Sequence, residues 1–406
     1  MAPAIVRNSS AFKENLVLDQ IAASGASGTT PDPYAWPDNG ECWVKEPRRH
    51  APALDSFMSH VHRLGAEQIM FSTWKRASFR LWGDNHWVQR PSLDEAETGL
   101  IVNHLYGADG MARIQGGKDL NVMYVIGVSR TQTLRFRVNV SGIVTSKGDG
   151  ANVTIRPVKD LPPPLECQNV EPEILKAYRM KKGLMIVSGA TGSGKSTLIG
   201  GMTMAKLLDP GAHLNIIECA EPIEFLLDRV KSPSSTINQS EIPRNIESFE
   251  TYMEGAMRRQ PTDIIIGECR KPEHMEATIR AAISGHATCT TLHAENVALT
   301  MQRVAGLFPP EQMKNLMISA SQALRLIINQ RLVKDPRDKW TPLREFLVFD
   351  APFRKKLASA HADEWPRITM EAVEKEGQSY RKAIELALQD GRITEETAAA
   401  ERDTLE

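Results

Sequence analysis

The chain has 406 residues, a formal net charge of −1 and 24% charged residues. That length predicts two or three domains with ample chain to bury a core, and so even a charge balance excludes an overall field that would recruit nucleic acid or a membrane surface. Five scattered cysteines without C-x-x-C spacing (Cys42, Cys167, Cys219, Cys269, Cys289) exclude a disulfide framework or a zinc site, and with no apolar run near membrane-spanning length and no secretory signal pattern the expectation is a soluble, cytoplasmic protein.

Residues 1–48 mix polar residues with turn formers and read as a flexible extension, with a short helix around Phe12 to Ala23. A first globular unit is expected over residues 50–158, a small α+β domain. Leu54, Met58, Val61 and Leu64 recur at helical spacing, and Gln68 to Thr73 and Ala77 to Trp82 read as strands. Ser92 and Glu95 form a capping-box pattern ahead of the helix-periodic stretch Leu93 to Tyr106. Asn121 to Val128, Thr133 to Val140 and Asn152 to Pro157 are further strands between Gly/Ser/Asp turns.

Residues 159–170 begin with Lys159-Asp160-Leu161-Pro162-Pro163-Pro164, a semi-rigid linker. Over residues 171–350 helical and strand patterns alternate: Pro172 to Lys181, Leu184 to Ser188, Leu198 to Leu208, Leu214 to Glu218, Ile246 to Arg258, Asp263 to Gly267, Met275 to Ile283, Ala287 to Leu292 and Val297 to Leu307. Such alternation predicts an α/β fold with a parallel sheet and crossover helices. Glu311 to Ile328 reads as one helix, and the charged segment 351–406 is helical in period after His361, with Gly391 as a stop.

Gly189-Ala190-Thr191-Gly192-Ser193-Gly194-Lys195-Ser196-Thr197 fits G-x-x-x-x-G-K-[ST] directly after the apolar run Leu184 to Val187. In this context glycines let backbone N–H groups converge on phosphate oxygens, and the helix that follows points its positive end at the same anion. Lys195 is expected to reach the β- and γ-phosphates of ATP, and the Ser196 hydroxyl to ligate Mg²⁺. Thr262 to Gly267 is an apolar strand ending in Glu268, which would place that carboxylate where Mg²⁺ and an attacking water lie. Between the two, Glu218, Glu221 and Glu224 are all candidates for the carboxylate that orients or deprotonates water. His286 and His293 flank Ala287 to Leu292, too far apart along an extended strand to share one metal ion, and either could sense the γ-phosphate. Arg258, Arg259 and Arg270 bracket the acidic strand, as charge-stabilising cations or as ordinary helix-terminal charges.

In this order and near-spacing, the phosphate loop (Walker A), Pro222-Ile223-Glu224-Phe225, Ile237-Asn238-Gln239, Gly267-Glu268-Cys269-Arg270, Gly285-His286 and Thr291-Leu292-His293 resemble the secretion-superfamily ATPases. The likeness is greatest to the PilT-like group of type IV pili and type II and IV secretion. It spans about residues 50–406, including Arg135-Phe136-Arg137-Val138-Asn139 and Asn329-Gln330-Arg331-Leu332. Glu218-Cys219-Ala220-Glu221-Pro222 and Phe346-Leu347-Val348-Phe349-Asp350 resemble the branch serving type IVB secretion and IncI-type conjugation, the DotB/TraJ branch.

The resemblance implies a hexamer of subunits, each with a PAS-like N-terminal domain and a RecA-like P-loop NTPase domain. ATP would be bound by Gly189, Thr191, Gly192, Ser193, Gly194, Lys195, Ser196 and Thr197, with Ser196 and Glu268 at Mg²⁺. It makes Glu224 the general base, Glu268 the organiser of Mg²⁺ and water, His286 and His293 the histidine-box residues, and Arg258 the arginine before the second acidic strand. Arg135 and Arg137 resemble small-domain arginines that reach nucleotide. The function implied is a motor ATPase, peripheral to the inner membrane, that works on a secretion or conjugation machine through protein partners, with no membrane insertion and no nucleic acid indicated. Ala351 to Leu357 departs from the retraction motors' element, and the four-cysteine insertion of extension motors is absent. A nucleic-acid translocase or helicase, a pilus retraction motor and a nucleotide-binding scaffold ring are the rival readings.

Overall fold

The computed structural model describes residues 47–81, 84–88, 91–128, 133–158, 160–308, 310–337 and 339–405. The expected flexible extension and its short helix lie outside the described residues. Contacts divide the chain after Pro157 into two units.

The first unit runs α1 (Pro47–Arg63), β1 (Gln68–Ser72), β2 (Ser78–Leu81), β3 (Asp84–Trp87), α2 (Glu95–Tyr106), α3 (Gly110–Gln115), β4 (Leu120–Gly127), β5 (Thr133–Thr145) and β6 (Gly148–Val158). The strands form one sheet in the order β3-β2-β1-β6-β5-β4. Phe57, Met58 and Val61 of α1 bury against Phe71, Phe136 and Val153 of the sheet, each such side chain contributing about 1.5–3 kcal/mol. The capping box sits two residues later than the sequence pattern indicates. The Asp94 carboxylate, not Ser92, accepts from Glu97 N at 2.8 Å, and Glu97 returns the bond to Asp94 N. Strand β3 and helix α3 carry no periodic apolar signal in the sequence.

The second unit contains α4 (Pro172–Tyr178), β7 (Gly183–Ser188), α5 (Lys195–Leu208), β8 (Asn215–Ala220), β9 (Thr236–Glu241), α6 (Phe249–Ala256), β10 (Asp263–Ile266), α7 (Pro272–Ile283), β11 (Ala287–Leu292), α8 (Val297–Gly306), α9 (Pro310–Ala323), β12 (Leu324–Lys334) and β13 (Trp340–Val348). Four helices follow, α10 (Ala351–Ser359), α11 (Trp365–Glu376), α12 (Tyr380–Gln389) and α13 (Glu395–Asp403). The sheet order is β13-β12-β7-β11-β10-β8-β9. All neighbours pair in parallel except β13, which runs antiparallel to β12 at the edge. Every residue of β7 is buried, as expected of a strand covered on both faces. Because the strands are parallel, the carboxyl ends of β7, β8, β10 and β11 emerge at one end of the sheet, where a ligand crevice forms.

The expected helix Glu311 to Ile328 is corrected: it stops at Ala323, and Leu324 onward pairs with β7 as β12. Leu326, Ile327 and Ile328 are a continuous buried run, which a central parallel strand needs and which helical periodicity alone does not separate from a helix. Helices α10 and α11 share the core of the sheet, where Phe353, Leu357 and Trp365 cluster with Leu347 and Phe349. No described helix is long and apolar enough to cross a membrane.

Candidate functional site

Strand β7 ends at Ser188, and the chain turns through Gly189 (φ +146°) to Gly194 (φ +82°), where α5 begins. A Cβ at Gly189 would lie 2.4 Å from the Gln330 carbonyl oxygen, and one at Gly194 would lie 2.8 Å from Gln330 Nε2. Both backbone angle and space therefore demand glycine. Thr191 and Gly192 are exposed at the tip, while Ser196 and Thr197 are half-buried on the first turn of α5. The N–H groups of that turn have no intrahelical partner, so the turn presents donors to an anion. Ser193 Oγ is buried with no hydrogen-bond partner among the described residues. An orphaned donor beside unpaired helix-end amides fits a phosphate group.

Lys195 Nζ donates to the Gly189 and Ala190 carbonyls at 2.9 and 2.8 Å. Burial pushes its pKa down, and the Glu268 and Glu224 carboxylates oppose that shift. Two carboxylates from separate strand ends thus act on the phosphate-loop lysine.

Glu268 follows β10 and is held between two cations or donors. Arg270 Nη2 lies 2.9 Å from Glu268 Oε2, and His293 Nε2 lies 3.3 Å from Oε1. The backbone around it is tied to β11 by Cys269 N donating to Thr291 O and by Thr291 Oγ1 donating to Gly267 O. Buried Cys269 Sγ accepts from the Thr290 hydroxyl at 3.2 Å. Burial, then the charge on Lys195, lowers the His293 pKa, with Glu268 opposing. The imidazole is therefore neutral at neutral pH.

Strand β8 leads into the acidic loop. Gln239 of β9 donates through Nε2 to Glu218 Oε2 at 2.6 Å and to the Phe225 carbonyl at 2.8 Å, and its Oε1 accepts from Leu227 N at 2.9 Å. Glu241 Oε2 accepts from Ile223 N at 3.2 Å. Of the three acidic candidates, Glu218 is engaged inside the sheet and Glu221 is exposed. Glu224 lies in a loop pinned on both sides, close enough for its charge to register on Lys195.

The structure thus brings Lys195, Glu224, Glu268 and His293 to the carboxyl end of the sheet. It does not bring Arg258 or His286 there. Arg258 is exposed in the turn Met257–Arg259 before β10, and His286 precedes β11, its Nδ1 3.1 Å from the Ala281 carbonyl. Both stand at the amino ends of strands, about 13 Å or more from the crevice of their own chain across the four residues of β10. Arg135 and Arg137 lie on β5 of the first unit, on the face opposite core residues Phe136 and Val138, and Arg135 is buried. No group of three or more His, Cys, Asp or Glu residues suited to a metal occurs among the described residues.

Sequence reasoning assigned no role to Gln239, Glu241, Gln330 or Arg344. The first two hold the Glu224 loop, and Gln330 packs on two loop glycines. A polar residue inside the apolar run around Gln330 was the signal that could have found it; Gln239, Glu241 and Arg344 carry none.

Comparison with known proteins places this geometry in context. The family described as "Type II/IV secretion system protein" matches residues 52–395. The twitching motility protein of Neisseria gonorrhoeae is 29% identical over 255 residues, 63% of this chain, and the chain spans 65% of that relative's length. The X-ray structure of the ATPase DotB of Legionella pneumophila superposes with a TM-score of 0.75 at 29% identity, covering 91% of this chain and 99% of that one. The pilus retraction motor PilT with bound ADP shares the fold, with a TM-score of 0.71 at 24% identity over 85% of this chain and 95% of that one. The fold is a RecA-like core preceded by a smaller N-terminal domain, and the chain belongs to the type II/IV secretion system protein family.

Proposed function

We propose that this chain is a Mg²⁺-dependent ATPase that works as a hexamer and couples ATP hydrolysis to movement in a type IVB-like secretion or conjugation machine. The observation that carries the reading is the convergence of Lys195, Glu224, Glu268 and His293 on a glycine-forced loop whose buried Ser193 hydroxyl has no partner among the described residues. The 29% identity to the ATPase DotB across nearly the whole of that chain supports the type IVB branch.

In this reading the loop amides from Gly189 to Gly194, with Thr191, Gly192, Ser193 and Thr197, cradle the phosphates, and Lys195 leaves its two carbonyl partners to meet them. Ser196 and Glu268 would hold Mg²⁺, which neutralises charge on the phosphoryl oxygens when bound. Glu224 orients and deprotonates the attacking water, and His293, whose one neutral N–H faces Glu268, holds that carboxylate beside the γ-phosphate. Arg258 and His286, distant within one chain, would act on a neighbouring subunit's nucleotide, where a cation stabilises developing charge. Residues 50–158 form the PAS-like domain, which carries Arg135 and Arg137. Residues 171–350 are the ATPase domain, 159–170 the linker and 351–406 a helical appendage. The protein would act in the cytoplasm, held at the inner membrane by partner proteins.

The test is steady-state phosphate release in Mg²⁺-ATP over a range of protein concentrations, for the native chain, Glu224→Gln and Glu268→Gln. Specific activity that rises with concentration and disappears in both variants is expected. Undiminished turnover in Glu224→Gln would remove the general base assigned here, and salt-sensitive stimulation by single-stranded DNA would turn the reading to a translocase.

A further inference from the structure

Arg344 of β13 is a buried arginine that touches nothing in the catalytic cluster, yet it stands one residue away from it. Its side chain is 1% exposed. Nε donates to Gln330 Oε1 at 2.7 Å, Nη1 to Asn169 O at 2.7 Å and Glu171 Oε2 at 3.0 Å, and Nη2 to Gln168 O at 2.8 Å. Gln330, its cross-strand partner on β12 and 3% exposed, then donates through Nε2 to the Ser193 carbonyl at 2.6 Å. Gln378, just before α12, donates to Glu171 Oε1 and to the Arg344 carbonyl.

This chain of bonds acts on the phosphate loop through the geometry of one peptide. In the trans peptide between Ser193 and Gly194 the C=O and N–H point in opposite directions. Holding the Ser193 oxygen on Gln330 therefore turns the Gly194 N–H away from Gln330, toward the side of the loop on which its amides would meet an anion. The amide of Gln330 is a weak guide by itself, because its oxygen and nitrogen can exchange places. Arg344 removes that freedom: it has only donors, so it can donate only to the carbonyl end of Gln330 and leaves the NH₂ end to donate to Ser193. The opposite side of the same guanidinium is fixed by the 168–171 segment, which lies within the second unit just before α4. A planar fork cannot shift toward one set of acceptors without leaving the other.

The geometry points to Gln330 and Arg344 as positioning residues that make the anion-binding shape of the phosphate loop depend on where the 168–171 segment sits. Withdrawal of Glu171 and the Gln168 and Asn169 carbonyls frees Arg344, Arg344 frees Gln330, and the Ser193–Gly194 peptide loses its fixed orientation. By reciprocity, nucleotide that needs this orientation holds the segment in place. The inference rests on the reading of the loop as an ATP site.

Two readouts on the full-length chain test it separately from that reading. The first is the affinity for a fluorescent ADP in Mg²⁺, with kcat and KM for ATP, for Gln330→Met, Arg344→Lys, the double variant and Glu171→Gln. The second is amide hydrogen exchange without nucleotide, comparing the peptide 189–197 with core peptides of β10 and β11. Each of Gln330→Met and Arg344→Lys should weaken ADP about tenfold, the equivalent of one charge-assisted hydrogen bond, and the double variant no more than either, because the two act as one unit. Glu171→Gln should weaken it several-fold from outside the loop, with KM rising more than kcat falls. Exchange at 189–197 should quicken while the core strands stay protected. Unchanged exchange in the loop, or fully additive losses in the double variant, would overturn the relay. If the native chain binds no ADP at all, the ATPase reading falls, and the exchange data alone decide the relay.

Discussion

Glu268 and His293 face one another from the carboxyl ends of adjacent parallel strands, Oε1 to Nε2 at 3.3 Å, with the Arg270 guanidinium on the other carboxylate oxygen. The burial that lowers the His293 pKa makes this a contact of a carboxylate with a neutral ring, and the ion pair of Glu268 is with Arg270. Glu268→Gln should reduce kcat by about 10²–10³-fold, within the range for loss of a positioned carboxylate, while ADP affinity changes by less than about threefold. Equilibrium titration with ADP beside steady-state phosphate release separates the two effects. Equal losses in both would make Glu268 a binding residue only.

The same lowered pKa has a sign that pH can read. A base whose folded pKa lies below its unfolded value of about 6.5 binds more protons unfolded across that window. Stability contributed by neutral His293 is present above pH 6.5 and is lost as pH falls toward the lowered folded value. In His293→Gln the fall of stability between pH 7 and 5.5 should be shallower than in the native chain, measured by urea unfolding at each pH. Nucleotide phosphates should raise the His293 pKa by offsetting the Lys195 charge, visible as a shifted imidazole titration in proton NMR.

Gln239 satisfies Leu227 N, the Phe225 carbonyl and Glu218 at once. Gln239→Leu leaves those groups to water or to each other, at about 1–3 kcal/mol for each that stays buried. Because the loop it holds carries Glu224, kcat should fall by more than KM rises, and Gln239→Glu should not rescue it, since a second carboxylate would face Glu218. A uniform loss of stability with normal kcat would reduce Gln239 to a structural role.

Why some of this was legible in the sequence follows from where the information lies. The phosphate loop needs glycine at Gly189 and Gly194 for steric reasons that belong to the backbone, so the motif is written in the residues themselves. Strand β11 was read with its observed limits because Ala287–Leu292 is β-branched, apolar and bounded by polar ends. Strand β9, with the sequence Thr-Ile-Asn-Gln-Ser-Glu, has no apolar alternation: it closes one edge of the sheet, Ile237 alone of its side chains is apolar and packs on the core, and Gln239 and Glu241 bind a loop. The capping box moved from Ser92 to Asp94 because two acceptors compete within one turn and only packing decides. Arg344 is one arginine among 49 Lys and Arg residues, and nothing local distinguishes a buried one, whose partners Gln168 and Glu171 lie more than a hundred residues away.

Lys206, near the end of α5, meets Asp263 at the start of β10 at 2.5 Å, and its ammonium sits 4.0 Å from the centre of the Tyr178 ring. Both charged side chains are about nine-tenths buried, 11% and 9% exposed. Lys206→Met should lower stability by about 3–5 kcal/mol because it strands a buried carboxylate, whereas Lys206→Met with Asp263→Leu should recover most of the loss. Urea unfolding at constant pH checks this. A single variant as stable as the native chain would mean that water reaches Asp263.

Arg258 stands at the amino end of β10 while Lys195 serves the carboxyl end, so one chain cannot bring both to a single nucleotide. If Arg258 stabilises charge in hydrolysis, it must do so for a neighbour, and the defect of Arg258→Ala and that of Lys195→Ala then belong to different halves of an interface. Each variant alone should be inactive, since every interface lacks one half. Mixed in equal amounts, they should regain activity, with roughly a quarter of interfaces complete under random assembly around a closed ring. The regained rate should peak at the equal mixture and vanish at either end, followed by phosphate release at fixed total protein. Mixtures no more active than their components would confine Arg258 to its own chain and leave it as a charge at the end of a helical turn.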